Sequence, residues 1–346
     1  MYEFYVGFYT HKPFWAGINI IETLPYPNWE QEFTELMGEV VYEHETADYN
    51  LKICRDGLFL FQHSQFSDLT KDKPVGLLEA QELSKIWADM LVYLNAILIL
   101  FESAFLNVQK ERYFDHLEIT IKDAFSVTFS DDGLAGFTIP KLSLASHLQT
   151  ARFLTTFNKD VPLELDSRID KRTVVSKAVF DKLFREFEIA FHNKRMIHAL
   201  AKLAKSLGEY KSANYDTSLI ISWFIIEATI NDQWEAWLKA QNIEYSNGSK
   251  RINRKRLEFL TGREFSISII SNILELTENL PYELFVQIDK IRNSRNKIVH
   301  SNREYQPNIC DSETSASALD VVRQLIGSQL DFEIDLNTFL LVPAIG

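Results

Sequence analysis

Six residues near the C-terminus, Arg295-Asn296-Lys297-Ile298-Val299-His300, combine groups suited to phosphate chemistry. They end a helical stretch whose apolar stripe reads Leu284, Ile288, Ile291, Arg295, Ile298. An arginine on such a stripe is costly to bury unless it is paired or faces a ligand. Asn296 and His300 are four apart and share a helix face. A guanidinium, an amide and an imidazole therefore converge at one helix end, with no carboxylate between them. That set suits a phosphate better than a metal ion. Arginine offers a fixed fork of donors for phosphate oxygens. Histidine is the natural general base or acid near neutral pH. A structural alternative stands beside this reading. Arg295 would pair with a buried acid, and His300 would cap the helix C-terminus, where a partly charged imidazole is favoured.

Two further features bear on the same chemistry. Glu227 sits inside the apolar run Ser222-Trp223-Phe224-Ile225-Ile226 and needs a partner if it is buried. Arg292 and Arg295 are the candidates. Such an acid either orients the arginine or forms a plain ion pair that sets helix register. The run Lys250-Arg251-Ile252-Asn253-Arg254-Lys255-Arg256 is the densest cationic stretch in a chain of net charge −12, with Arg263, Lys290 and Lys297 in the same region. Local cations bind a nucleic-acid backbone even on an acidic protein, with steep salt dependence. Lys250, Arg251, Arg254, Lys255, Arg256 and Lys297 are the expected RNA contacts. A solvated loop balancing nearby acids is the alternative.

The elements that must position these groups are mostly helices. Phe191 to about Tyr210, Tyr215 to about Gln241, Ile267–Leu280, Pro281 to about His300 and Ser315–Ser328 read as helices. The second is apolar nearly all round, as a buried central helix would be. Asn242–Arg263 reads as a polar, basic connection. The first part is mixed. Glu3–Tyr9, Gly38–Tyr42, Leu58–Phe61, Leu117–Ile121 and Phe125–Phe129 read as strands, with turn signals at Asp56-Gly57 and Asp131-Asp132-Gly133. Leu77 to about Arg112 reads as one long helix. The expected organisation is an α+β domain over 1–140, a helical connection over 141–184, an all-α bundle over 185–330 and an apolar tail over 331–346.

The Arg295-Asn296…His300 motif, the Glu227-bearing helix before it and the order of helices resemble the HEPN superfamily of ribonucleases and nucleotide-binding proteins, in its ApeA-like branch. The likeness covers roughly residues 185–330. It implies metal-independent endoribonuclease activity on tRNA or other single-stranded RNA, leaving a 2′,3′-cyclic phosphate. Arg295, Asn296 and His300 would be catalytic, and Glu227 and Arg292 supporting. It implies no cofactor and a homodimer in which two motifs meet. It also suggests a toxin-like or anti-phage effector, restrained by an antitoxin or set off by a phage-derived trigger. The N-terminal domain carries no resemblance of its own and, by elimination, would sense the trigger or restrain the nuclease. Some relatives are non-catalytic nucleotide-binding, RNA-binding or dimerisation modules, and that is the competing expectation.

Composition bounds these readings. A chain of 346 residues, 46% of them hydrophobic, can bury sizeable cores, and its length favours two domains. The acidic balance excludes a generally basic nucleic-acid binder. Two cysteines far apart, Cys54 and Cys310, suit a reducing cytoplasm and argue against a disulfide framework. No signal peptide is expected, since no basic region precedes an apolar core. Met90–Leu106 is apolar enough to raise the question of a membrane span. Asn95 and Glu102 interrupt it, and a core helix is the better reading, so no membrane partner is expected. His44 stands among Glu43, Glu45 and Asp48, but not at the spacing of a metal site. A glycine-rich phosphate loop and a Ser or Cys nucleophile motif are both missing.

Overall fold

The computed structural model describes residues 3–19, 36–66, 80–130, 133–137, 172–300 and 309–340. It has an α+β N-terminal part and a helical C-terminal part, as expected. Two compact units divide the chain: Met1–Ala204 with Asp335–Asn337, and Lys205–Ile334 with Thr338–Gly346.

The first unit is built on an antiparallel sheet. Its strands are β1 (Glu3–Tyr9), β3 (Val40–Glu45), β4 (Tyr49–Cys54), β5 (Leu58–His63), β6 (Phe125–Ser130) and β7 (Gly133–Phe137). Their spatial order is β3-β4-β5-β1-β6-β7. Two short strands, β2 (Phe14–Ala16) and β8 (Thr173–Val175), pair in parallel. Aromatic and aliphatic residues dominate β1, β4 and β5, which are buried along nearly their whole length. β3, at the sheet edge, carries Glu43, His44 and Glu45 and is mostly half-buried or exposed. Charge on an edge strand discourages pairing with another chain. Gly57 holds φ +85° in the β4–β5 turn, where its N–H donates to the Cys54 carbonyl. This is the turn expected from Asp56-Gly57.

Helix α1 (Ala80–Gln109) is the core helix of this unit, with Leu94, Ile97, Leu98, Phe101 and Phe105 buried. It packs against α2 (Lys177–Phe191). It is also the one helix among the described residues long and apolar enough to cross a membrane, and most of that stretch is buried. Its two polar interruptions are anchors. The Asn95 amide donates to the carbonyls of Leu91 and Ile119 and accepts from the Ile119 N–H. Glu102 lies 2.7 Å from Nδ1 of His116, whose Nε2 donates to the Ala204 carbonyl. The strand expected over Leu117–Ile121 is not formed. Asn95 takes both backbone groups of Ile119, and Leu117 and Ile121 are exposed.

Of the helix expected from Phe191 to about Tyr210, Phe191 itself is the last residue of α2, and the rest forms one further helix from residue 194. Asn193 closes α2 by donating to the Ala190 carbonyl, and its side chain accepts from Met196 N–H at the start of α3 (Lys194–Lys211). The unit boundary falls inside α3, at Ala204, and not near residue 184. The reason is that α2, with Val179, Phe180, Leu183 and Phe187 buried, belongs to the core around α1. Most of the expected connection over 141–184 lies outside the described residues. So do the Asp131-Asp132 turn and the last residues of the tail.

The second unit contains α4 (Tyr215–Ala240), α5 (Arg254–Leu260), α6 (Ile267–Leu276), α7 (Tyr282–Val299) and α8 (Ser312–Leu330). α4 packs on α6, α7 and α8, and α7 packs on α6 and α8. Asp311 caps α8 by accepting from Thr314 N–H at 2.7 Å, a bond that holds its carboxyl below the usual range. Gly327 allows the Phe332 carbonyl close to the helix, where an added Cβ would stand 2.7 Å from that oxygen.

Candidate functional site

Helix α7 carries the motif. Pro281 precedes it as N-cap, and Leu284, Ile288 and Ile291 fill the packed face. Further along, the stripe rises out of the core, and Arg295 and Ile298 are only half-buried. The cost expected for a buried arginine is thereby avoided. Arg295 Nη1 donates to Asn296 Oδ1 at 3.2 Å. His300 is the C-cap residue, with its N–H bonded to the Asn296 carbonyl at 3.0 Å and its side chain exposed. Lys297 is exposed on the same turn. Among the described residues, neither Arg295 nor His300 pairs with a carboxylate. The last turn of α7 thus presents one guanidinium held by an amide, one exposed ammonium and one exposed imidazole, none paired with a carboxylate among the described residues. Cations at a helix C-terminus are favoured by the helix dipole.

Glu227 departs from expectation. It is half-buried on α4, between the exposed Phe224 and Ala228, so this helix is not apolar and enclosed all round. It forms no ion pair with any described residue. Arg292 instead bonds Asp289 of its own helix, at 2.6 and 3.1 Å, and the same carboxylate accepts from Asn293. Arg295 is committed to Asn296. Asp289 was missed from sequence, although its spacing three residues before Arg292 is an ordinary helical pairing signal.

The cationic run divides between a turn and α5. Glu244 and Lys250 form an isolated antiparallel bridge, Tyr245 N–H donates to the Ser249 carbonyl, and Asn247 accepts from Ser249. The Asn247-Gly248-Ser249 segment is therefore a turn. Asn253 caps α5 by accepting from Arg256 N–H, a helix not foreseen within the expected connection. Arg254 pairs with Glu258 at 2.9 Å, both exposed, and Arg256 bonds the Arg251 carbonyl. Lys250, Arg251 and Lys255 form no side-chain ion pair with any described residue.

Other reactive groups are occupied elsewhere. His44 lies flat on Phe184 and 3.3 Å from Glu188. Burial, with Asp216 and Asp311 nearby, pushes the Cys310 thiol up to about 12, which keeps it protonated and unreactive near neutral pH. No group of three or more His, Cys, Asp or Glu among the described residues is placed to hold a metal ion. Comparison with models of known families found no match, and searches of curated proteins and of solved structures found none either.

Proposed function

We propose that this chain is a metal-independent endoribonuclease acting on tRNA or other single-stranded RNA, through the last turn of α7. The supporting observation is the set Arg295, Asn296 and His300, gathered on one turn with an exposed imidazole and, among the described residues, no carboxylate paired with it. In this reading His300 takes the proton from a ribose 2′-hydroxyl, and the 2′-oxygen attacks the adjacent phosphorus. The bond from phosphorus to the 5′-oxygen breaks and a 2′,3′-cyclic phosphate remains. Arg295 holds the phosphate oxygens as negative charge develops, where a fixed fork of donors is most effective. Asn296 fixes the guanidinium. A second copy of the chain supplies the group that protonates the leaving oxygen, which is why the reading calls for a homodimer. Phe224 on α4 and Val299 on α7, 51% and 50% exposed, are apolar surface that a second copy can cover. The N-terminal unit is assigned a sensing or restraining role.

The test is cleavage of labelled tRNA and single-stranded RNA by the purified protein in EDTA, wild type beside His300→Ala. The expected result is cyclic-phosphate products from wild type and a loss of about 10²–10⁴ in rate in the variant. Binding without cleavage by wild type would favour the non-catalytic binding module. Equal cleavage by both would remove His300 from the mechanism.

A further inference from the structure

Helix α5 buries none of its residues, yet it is firmly held at both ends. Asn253 caps its start, and Trp234 Nε1 donates to the Leu260 carbonyl at its end, at 2.8 Å. An isolated helix of this length would not form in water. The anchoring therefore displays a surface without burying it.

That surface has a particular composition. Between residues 243 and 265 stand six cations and three carboxylates, in a chain that is otherwise strongly acidic. Phe259 is 58% exposed and Tyr245 is 48% exposed. Phe259 is the outer end of an aromatic row. It meets Phe265 edge-on at 5.5 Å, Phe265 stacks with Trp234 at 5.8 Å, and Trp234 stacks with Trp237 at 5.1 Å. The row backs Phe259 with rigid rings and leaves much of its surface open. The hairpin that carries Tyr245 is tied to α5 through the Arg256 bond to the Arg251 carbonyl.

We infer that the hairpin over 243–251 and helix α5 form a docking element for single-stranded RNA, with Tyr245 and Phe259 stacking on unpaired bases and Arg251, Arg254 and Lys255 along the phosphates. This rests on the ribonuclease reading and names how its substrate is held. Charge complementarity selects a polyanion. The open aromatic rings select one with unpaired bases, because a duplex hides its base faces in its own stack. Arg254 exchanges its exposed bond to Glu258 for a phosphate at small cost, since a surface pair contributes little.

The experiment is fluorescence anisotropy on the full chain carrying His300→Ala, beside wild type in EDTA. The probes are a labelled oligouridylate, an RNA duplex of equal length, and vesicles containing phosphatidylserine. The expected result is preference for the oligouridylate, weakened about tenfold by Phe259→Ala or Tyr245→Ala. Lys255→Gln lowers the salt slope by about one. Both side chains are exposed, so circular dichroism of the variants should match the parent. Equal binding of duplex and oligouridylate, binding of vesicles alone, or unchanged affinity in all three variants would overturn the inference. Phe259-dependent binding with no cleavage by wild type sinks the catalytic reading and keeps this one. Cleavage that needs His300 and ignores Phe259 and Lys255 does the reverse.

Discussion

Helices α1 and α4 are both long and apolar, and each carries polar residues where the run is most hydrophobic. On α1, the fold uses them. Asn95 makes three hydrogen bonds, two of them to a segment outside the helix, and Glu102 meets a buried histidine. On α4, Glu227 meets no charged partner among the described residues and stands half-buried beside an exposed phenylalanine. The same contrast extends to α7, where Arg295 bonds its neighbour Asn296, His300 is exposed, and neither pairs with a carboxylate among the described residues. A polar group in an apolar run is thus ambiguous on its own. When its capacity is consumed by neighbours it is part of the architecture. When it is left open at a surface it is available to a ligand.

Arg295→Ala should produce the largest effect and probes the open side. Cleavage is expected to fall by about a hundredfold or more, as for loss of a transition-state donor, with the melting temperature held. A large drop in melting temperature would place Arg295 with the architecture. Next come Glu102→Ala and His116→Ala. Each removes one member of a buried pair and should cost about 3–5 kcal/mol in chemical denaturation. A loss below about 1 kcal/mol would dissolve the contrast from the other side. Asn95→Ala strands the backbone groups of Ile119 and is expected to cost about 2 kcal/mol. Glu227→Gln, on a half-exposed side chain without an ionic partner among the described residues, should change stability by less than about 0.5 kcal/mol. A larger loss would reveal a partner for it.

Much of the fold was legible because hydrophobic period and punctuation agree. Glu3–Tyr9 is a strand as read, Asp56-Gly57 turns, and the helices from Tyr215, Ile267 and Pro281 start where expected within a residue or so. Leu117–Ile121 misled because it alternates like a strand, while its pairing partner is a single side chain. Alternation reports two faces and says nothing of what satisfies the backbone. The bundle was expected to begin at 185, a position inside α2, because nothing in the residue pattern there marks that α2 runs from Lys177 to Phe191 and buries Val179, Phe180, Leu183 and Phe187. At the candidate site, the residue types and the helix end were legible. The burial of Glu227 was not, because Phe224 and Ala228 make its surroundings read as core although both are exposed. Pairing choices such as Arg292 with Asp289 are decided by rotamers, which spacing only suggests.

The tail carries a consequence for how the chain matures. Asp335 N–H donates to Ser103 Oγ at 2.8 Å, Asn107 reaches the Asp335 carboxylate, and Asn337 donates to the Phe114 carbonyl at 2.9 Å. These bonds lie within the unit that is synthesised first. As the ribosome delivers the chain, Ser103, Asn107 and Phe114 emerge long before residues 335–337 exist to meet them. The N-terminal unit therefore acquires these contacts only after Lys205–Ile334 of the second unit have been synthesised.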